Sequence, residues 1–93
     1  MYYVYILNNP DNNVLYIGVT NDLSRRLAEH RNEKADSFTK RYHVHKLVYF
    51  EEYSSPQYAI RREKQLKRWT RNKKNDLISA HNPEWVELLR DFL

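Results

Sequence analysis

Five side chains in this sequence have the types and positions to move a proton or hold a phosphate: Tyr5, Tyr16, Arg26, His30 and Glu63. Taken singly, each has an ordinary explanation. An inward arginine usually makes a structural ion pair, an inward histidine is usually a satisfied half-buried residue, and an inward glutamate usually pairs with a neighbouring base. Tyrosines on a sheet face are more often packing than chemistry. Convergence changes the balance, because the surrounding elements aim all five at one space beside a basic helix. Phosphodiester hydrolysis needs that set: a cation site, a proton acceptor, a positive group for developing charge and a surface for the backbone.

The elements that must position them are legible from periodicity. Residues 2–7 and 14–19 are β-branched and aromatic runs separated by Asn8-Asn9-Pro10-Asp11-Asn12-Asn13, the turn chemistry of a β-hairpin. Strand alternation puts Val4 and Ile6 on one face and Tyr3, Tyr5 and Leu7 on the other. In the second strand Leu15, Ile17 and Val19 share a face, and Tyr16 and Gly18 share the opposite one. A symmetric loop makes Tyr5 and Tyr16 cross-strand neighbours. Thr20 or Asn21 caps a helix running to about Glu33. Its apolar stripe is Leu23, Leu27 and Ala28. At about 100° per residue, Arg26 lies about 60° and His30 about 20° from Leu23, on or beside the face that meets the sheet.

Residues 34–41 are polar and read as a loop, and residues 46–53 as a third strand. Ser54 or Ser55 then caps a helix with Pro56 in its first turn. Ala59, Ile60 and Leu66 form its stripe, with Glu63 in the middle. A carboxylate there must be paired, hydrogen-bonded or bound to a cation. Residues 69–80 continue as helix with a break near Thr70. Asn82-Pro83 starts another, with Trp85, Val86, Leu88, Leu89 and Phe92 inward. The order is β-β-α-β-α-α without repeat or linker. It predicts one α+β domain over residues 1–93, a small three-stranded, mostly antiparallel sheet flanked by helices.

Composition removes other chemistries. Ninety-three residues allow one small domain. The absence of cysteine excludes disulfides, thiolate zinc sites and a cysteine nucleophile. With Gly18 alone, no glycine-rich phosphate loop exists. His43 and His45 make a weak metal pair without a third ligand, and Glu51 and Glu52 alternate faces and form no dyad. The aromatic strands lack the glycine-containing signature of base-stacking RNA modules. No apolar run approaches the ~18 residues of a membrane span, and the amino terminus lacks a basic region followed by an apolar one. A cytoplasmic protein with no membrane partner is the expectation. Charge is uneven: residues 1–53 hold seven Lys/Arg and seven Asp/Glu, whereas residues 54–93 hold nine and five. Eight of those nine bases lie between Arg61 and Lys74, with Glu63 the one acid among them. A solvated helix face is the bland reading, and the density of charge brings a phosphate-backbone partner level with it. Lys67, Arg68, Arg71, Lys73 and Lys74 are the candidate nucleic-acid contacts.

Assembled, these residues resemble the GIY-YIG nuclease domain. Val4-Tyr5-Ile6 stands where the first half of the signature lies, and Tyr16-Ile17-Gly18 matches the second half outright. Asn21-Asp22-Leu23-Ser24-Arg25-Arg26 follows at the family's spacing, with His30 four residues beyond. Glu63 lies on a later helix, as the family's metal-binding glutamate does. The resemblance covers essentially the whole chain and looks most like the small stand-alone bacterial members. It extends to the catalytic domains of the excision-repair nuclease subunit and of phage homing endonucleases. Three positions depart from the pattern: Tyr3 replaces the first glycine, Val4 stands at the middle position of that half, and Val19 stands where excision-repair members have a lysine.

This resemblance implies an endonuclease hydrolysing phosphodiester bonds in DNA, with Mg²⁺ or Mn²⁺ held by Glu63, water and substrate phosphate. It further implies that Tyr16 takes the proton of the attacking water and Tyr5 orients it. Arg26 would stabilise charge on the phosphoryl oxygens, and His30 would contact the scissile phosphate or relay a proton. A phenol with a pKa near ~10 needs Arg26 or the metal to help it act as a base. DNA is the implied partner, RNA stays open, and small size implies a targeting protein. The alternative is a nucleic-acid-binding module whose nuclease site is vestigial or partner-dependent. A strand glycine marks close backbone approach, so Gly18 is expected to clear space for a phosphate or the metal's waters.

Overall fold

The two aromatic and β-branched runs form strands β1 (Tyr2–Asn8) and β2 (Leu15–Thr20), paired antiparallel. Strand β3 (Lys46–Tyr53) pairs antiparallel with the other edge of β1. The protein is seen in a computed structural model, which describes residues 1–32 and 41–88 and orders the sheet β2-β1-β3. Helices α1 (Leu23–Arg31), α2 (Pro56–Arg68) and α3 (Arg71–His81) complete the order β-β-α-β-α-α among the described residues, the α+β architecture predicted from sequence. None of these helices is long and apolar enough to cross a membrane.

Asparagines build the hairpin loop. Asn9 Oδ1 accepts from the backbone N–H groups of Asn13 and Val14, both at 3.0 Å. Asn12 adopts φ 58°, a left-handed conformation that asparagine tolerates. Pairing resumes at Asn8↔Leu15, which sets Tyr5 opposite Gly18 and Leu7 opposite Tyr16. Tyr5 and Tyr16 are therefore diagonal neighbours, not the direct pair that a symmetric loop gives, and their ring centres lie 6.3 Å apart.

Both sheet faces are covered, so central β1 is buried without alternation from Val4 to Asn8. On one face Val4, Ile6, Ile17 and Val48 meet Ala59 and Leu66 of α2 and Ile78 of α3. On the other, Tyr5, Leu7 and Leu47 meet Leu23 and Leu27 of α1. Asp22 caps α1, Oδ1 accepting from Arg25 N at 3.1 Å. The cap falls beyond Thr20 and Asn21 because Thr20 ends β2 and its Oγ1 accepts from Asp22 N. Helix α1 ends at Arg31, with Asn32 as its C-cap. The expected continuation to Glu33 and the loop over 34–41 lie outside the described residues, apart from Arg41. Helix α2 starts with Pro56 after Ser55, as expected. The break is real: Trp69 and Thr70 are extended, and Thr70 Oγ1 accepts from Lys73 N at 3.2 Å to cap α3.

Residues 82–88 do not form the helix expected there. Between Ile6 and Leu7 the pairing slips past Val48, a β-bulge in β3. Buried Asn82 donates Nδ2 to the Val48 carbonyl at 3.0 Å and to Val86 O at 2.9 Å, and its Oδ1 accepts from Val86 N. Leu88 N then donates to Leu47 O at 2.9 Å, and Glu87 Oε2 accepts from Leu47 N at 2.6 Å. These bonds to the start of β3 replace helical ones. Leu89 and Phe92 lie outside the described residues.

An ion pair clamps α2 to β3. Arg62 donates to both carboxylate oxygens of Glu51, Nε to Oε1 and Nη2 to Oε2, each at 3.0 Å. Tyr53 Oη donates to Oε1 at 2.7 Å, and Tyr49 Oη donates to Oε2. Burial alone would raise the Glu51 pKa, but these donors together hold it below its ordinary value. Burial and the same bonds push the Tyr53 hydroxyl up to about 12 and raise Tyr49 as well.

Candidate active site

Tyr5 lies at the centre of the face that α1 covers, and it is 0% exposed. Its cross-strand partner has no side chain, and that makes the room. A Cβ on Gly18 would stand 2.5 Å from Tyr5 Cζ and hard against its hydroxyl oxygen. Gly18 therefore clears space for a phenol, which corrects the expectation of a phosphate or metal waters there.

Arg26 and His30 sit one turn apart on α1 and share that hydroxyl. Arg26 Nε donates to Tyr5 Oη at 3.1 Å, and Tyr5 Oη lies 3.1 Å from His30 Nε2. With the guanidinium acting only as a donor, the hydroxyl points its proton to His30 Nε2 when the imidazole carries its own on Nδ1. The Tyr16 ring stands edge-on to His30, 5.1 Å between centres. His30 is fully buried, whereas Tyr16 and Arg26 are half-buried. Burial alone would lower the Arg26 pKa, but hydrogen bonds and Coulombic attraction from Tyr5 and Tyr16 hold it above its ordinary value. Its Nη1 also lies 3.9 Å from Glu29 Oε1. Four of the five residues singled out by sequence thus form one cluster.

Glu63 arrives from elsewhere. It projects from α2, whose Ala59 and Leu66 pack on the opposite sheet face. Its side chain is 16% exposed and pairs with Lys67 Nζ at 3.5 Å, one helical turn on. The acid–base spacing of i, i+4 was visible in the sequence as a signal for this pair. Because β2 is an edge strand, the two faces communicate around it. A groove of about 250 Å³ follows that edge, lined by Leu15, Tyr16, Ile17, Lys67 and Lys74. The groove sets Lys67, the partner of Glu63, beside residues 15–17 of β2.

The other basic candidates separate. Arg68 faces a different pocket, beside Trp69. Lys73 Nζ lies 5.5 Å from the Trp69 ring centre. Arg71 binds the hairpin loop, donating Nη1 to Asn13 O and Nη2 to Asn12 O at 3.0 Å each, and Nε to Asn75 Oδ1. Charge counting could not separate that clamp from a phosphate contact.

Among the described residues, no group of three or more His, Asp or Glu side chains could hold a metal. The donor set fits a hard cation of the Mg²⁺ type, which takes one or two carboxylates and fills its shell with water and phosphate oxygens. Glu63 offers one half-buried carboxylate whose neighbour is the exposed Lys67 ammonium.

The model of the GIY-YIG catalytic domain matches residues 1–76. A UPF0213 protein of Clostridium perfringens is 42% identical over 80 residues, 86% of this chain and 85% of the relative. A UPF0213 protein of Limosilactobacillus reuteri is 34% identical over 92 residues, 97% of this chain and 95% of the relative. The solution NMR structure of a UPF0213 protein from Bacillus halodurans superposes with a TM-score of 0.58 at 33% identity, covering 91% of this chain and 90% of that one. The chain belongs to the GIY-YIG catalytic domain family, whose members are generally nucleases.

Proposed function

We propose that this protein is a divalent-metal-dependent endonuclease that hydrolyses phosphodiester bonds in DNA, with residues 1–93 acting as one cytoplasmic domain. The observation that carries the reading is the contrast between two phenols. Tyr5 is sealed between Arg26 and His30, whereas Tyr16 is half-buried on the edge strand, beside a groove rimmed by Lys67 and Lys74. A phosphate backbone entering that groove meets two ammonium groups at the edge of the strand that carries Tyr16.

Tyr16 takes the proton of the attacking water, because it is half-buried where Tyr5 is fully buried. Arg26 places a fixed positive charge beside the reacting phosphate, with Tyr5 gripping its Nε to set the direction. His30, buried behind Tyr5, works as a positioning residue that holds the hydroxyl and relays its proton. Glu63 would hold Mg²⁺ or Mn²⁺, which would supply Lewis-acid stabilisation of charge on the phosphoryl oxygens. Lys67 pairs with the Glu63 carboxylate. Arg68, Lys73 and Lys74 extend the basic surface, and Arg71 adds charge while its donors hold the hairpin. A partner protein supplies targeting, and RNA is the second polymer to be tried.

Incubation with duplex, nicked, branched and single-stranded DNA, with Mg²⁺ or EDTA, tests the reading. Cleavage of at least one substrate in Mg²⁺ alone is the expected result. Salt-sensitive binding without cleavage on any substrate makes the protein a binding module with a vestigial or partner-dependent site.

A further inference from the structure

Helix α2 carries a second row of cations that faces away from the Tyr16 groove. Tyr58, Arg61, Lys64 and Arg68 fall three or four residues apart and so share one face, and Trp69 follows at the helix end. Tyr58 is 59% exposed, with the Arg61 guanidinium 5.5 Å from its ring centre. At the other end Arg61, Lys64, Gln65, Arg68 and Trp69 line a surface pocket of about 440 Å³, within the range of small-ligand sites. Among the described residues no acid lines this pocket, and none of them lines both it and the Tyr16 groove. The half-buried Trp69 packs against the core, with the Arg62 guanidinium 5.1 Å and the Lys73 ammonium 5.5 Å from its ring centre.

We propose that this outward face of α2 is a track for single-stranded nucleic acid, with a base seated against Trp69 and phosphates held by Arg61, Lys64 and Arg68. The proposal rests on the reading above in taking nucleic acid as the polymer, and adds the form of polymer and a second place where it binds. A half-buried indole in a pocket lined by three cations, with two more against its ring, matches a flat aromatic group joined to an anion, which is a nucleotide. An acidic peptide would satisfy the cations and leave the indole uncovered. A duplex offers phosphates, but its base faces are hidden in the stack. From Tyr58 to Trp69 the helix rises ~16 Å, room for a short run of nucleotides.

The test is an NMR titration of the labelled full chain with a short oligothymidylate in EDTA, so that binding is read without cleavage. The Trp85 indole, bonded to Ser79 Oγ at 2.9 Å, serves as the internal reference. The Trp69 indole and the amides of Arg61, Lys64 and Arg68 should shift together and saturate. Hexaglutamate, inorganic phosphate and a blunt duplex should leave the Trp69 indole in place. The doubly substituted Arg61→Glu/Lys64→Glu chain, checked by its spectrum to be folded, should bind oligothymidylate about tenfold more weakly. Its log–log salt slope should fall by about 1.4, or ~0.7 for each phosphate no longer neutralised. An unmoved Trp69, with shifts confined to Tyr16, Lys67 and Lys74, overturns the track. Equal movement of Trp69 by hexaglutamate, phosphate or duplex overturns its assignment to single strands. Shifts at Trp69 in a protein that cuts nothing would remove the nuclease reading and keep this one; cutting with Trp69 unmoved would do the reverse.

Discussion

The Tyr5 hydroxyl stands where a side chain at position 18 would be, so the pairing of Tyr5 with Gly18 is what seats the phenol between Arg26 and His30. The single glycine of the chain serves a packing need in a strand, not a turn.

Gly18→Ala drives a methyl group into a ring held by β2 and α1. Overpacking of this kind costs about 1–3 kcal/mol, to be read as a lower urea midpoint with an unchanged slope. Cleavage should fall with it, because the displaced phenol no longer grips Arg26. Wild-type stability in this variant would mean that the ring yields freely.

The two tyrosines should separate stability from activity. Tyr5→Phe leaves Arg26 Nε and buried His30 Nε2 without the oxygen they share, a loss of about 1–3 kcal/mol in unfolding free energy. Tyr16→Phe at the groove should change stability by no more than about 0.5 kcal/mol while lowering cleavage by about 100-fold or more. Parallel urea titrations and single-turnover assays check both, and an exchange of the two phenotypes would reverse the assigned roles.

Arg71→Lys keeps the charge and loses the fork that grips Asn12 and Asn13. Stability should drop by about 1 kcal/mol with the salt dependence of DNA binding unchanged. Unchanged stability would mean that the fork to Asn12 and Asn13 does not hold the hairpin.

The Glu51 clamp predicts both limbs of the pH–stability curve. The folded pKa of Glu51 lies below its ordinary 4.5, so its contribution is present above that value and is lost as pH falls through the folded pKa. Glu51→Gln should lower stability at neutral pH and flatten the acid limb. Tyr53 rises from 10.0 to about 12, so its contribution is whole below pH 10.0 and is lost as pH climbs toward about 12. Tyr53→Phe should flatten the alkaline limb in chemical unfolding followed by circular dichroism.

Features carried by neighbouring residues were readable in the sequence. The Asn-rich loop announced the hairpin, Pro56 the start of α2, Thr70 the break before α3, and helical spacing placed Arg26 and His30 against the sheet. Register was not readable, because a six-residue loop leaves the pairing free to slip and only the packing of Tyr5 over Gly18 selects it. Trp85, Val86 and Leu88 keep helical spacing, yet the Val48 carbonyl, far away in sequence, draws Asn82 and the following residues onto β3. The same limit hid the clamps, since Arg62 and Arg71 look like any other charges in a basic run until their distant partners are known.

The most direct test of the central claim is single-turnover cleavage of labelled DNA in Mg²⁺ by the wild type, Glu63→Ala and Tyr16→Phe, with binding measured alongside in EDTA. The account predicts cleavage by the wild type in Mg²⁺ alone, and a loss of about 100-fold or more in each variant with binding retained. Cleavage by Glu63→Ala at the wild-type rate, or by the wild type in EDTA, would contradict it.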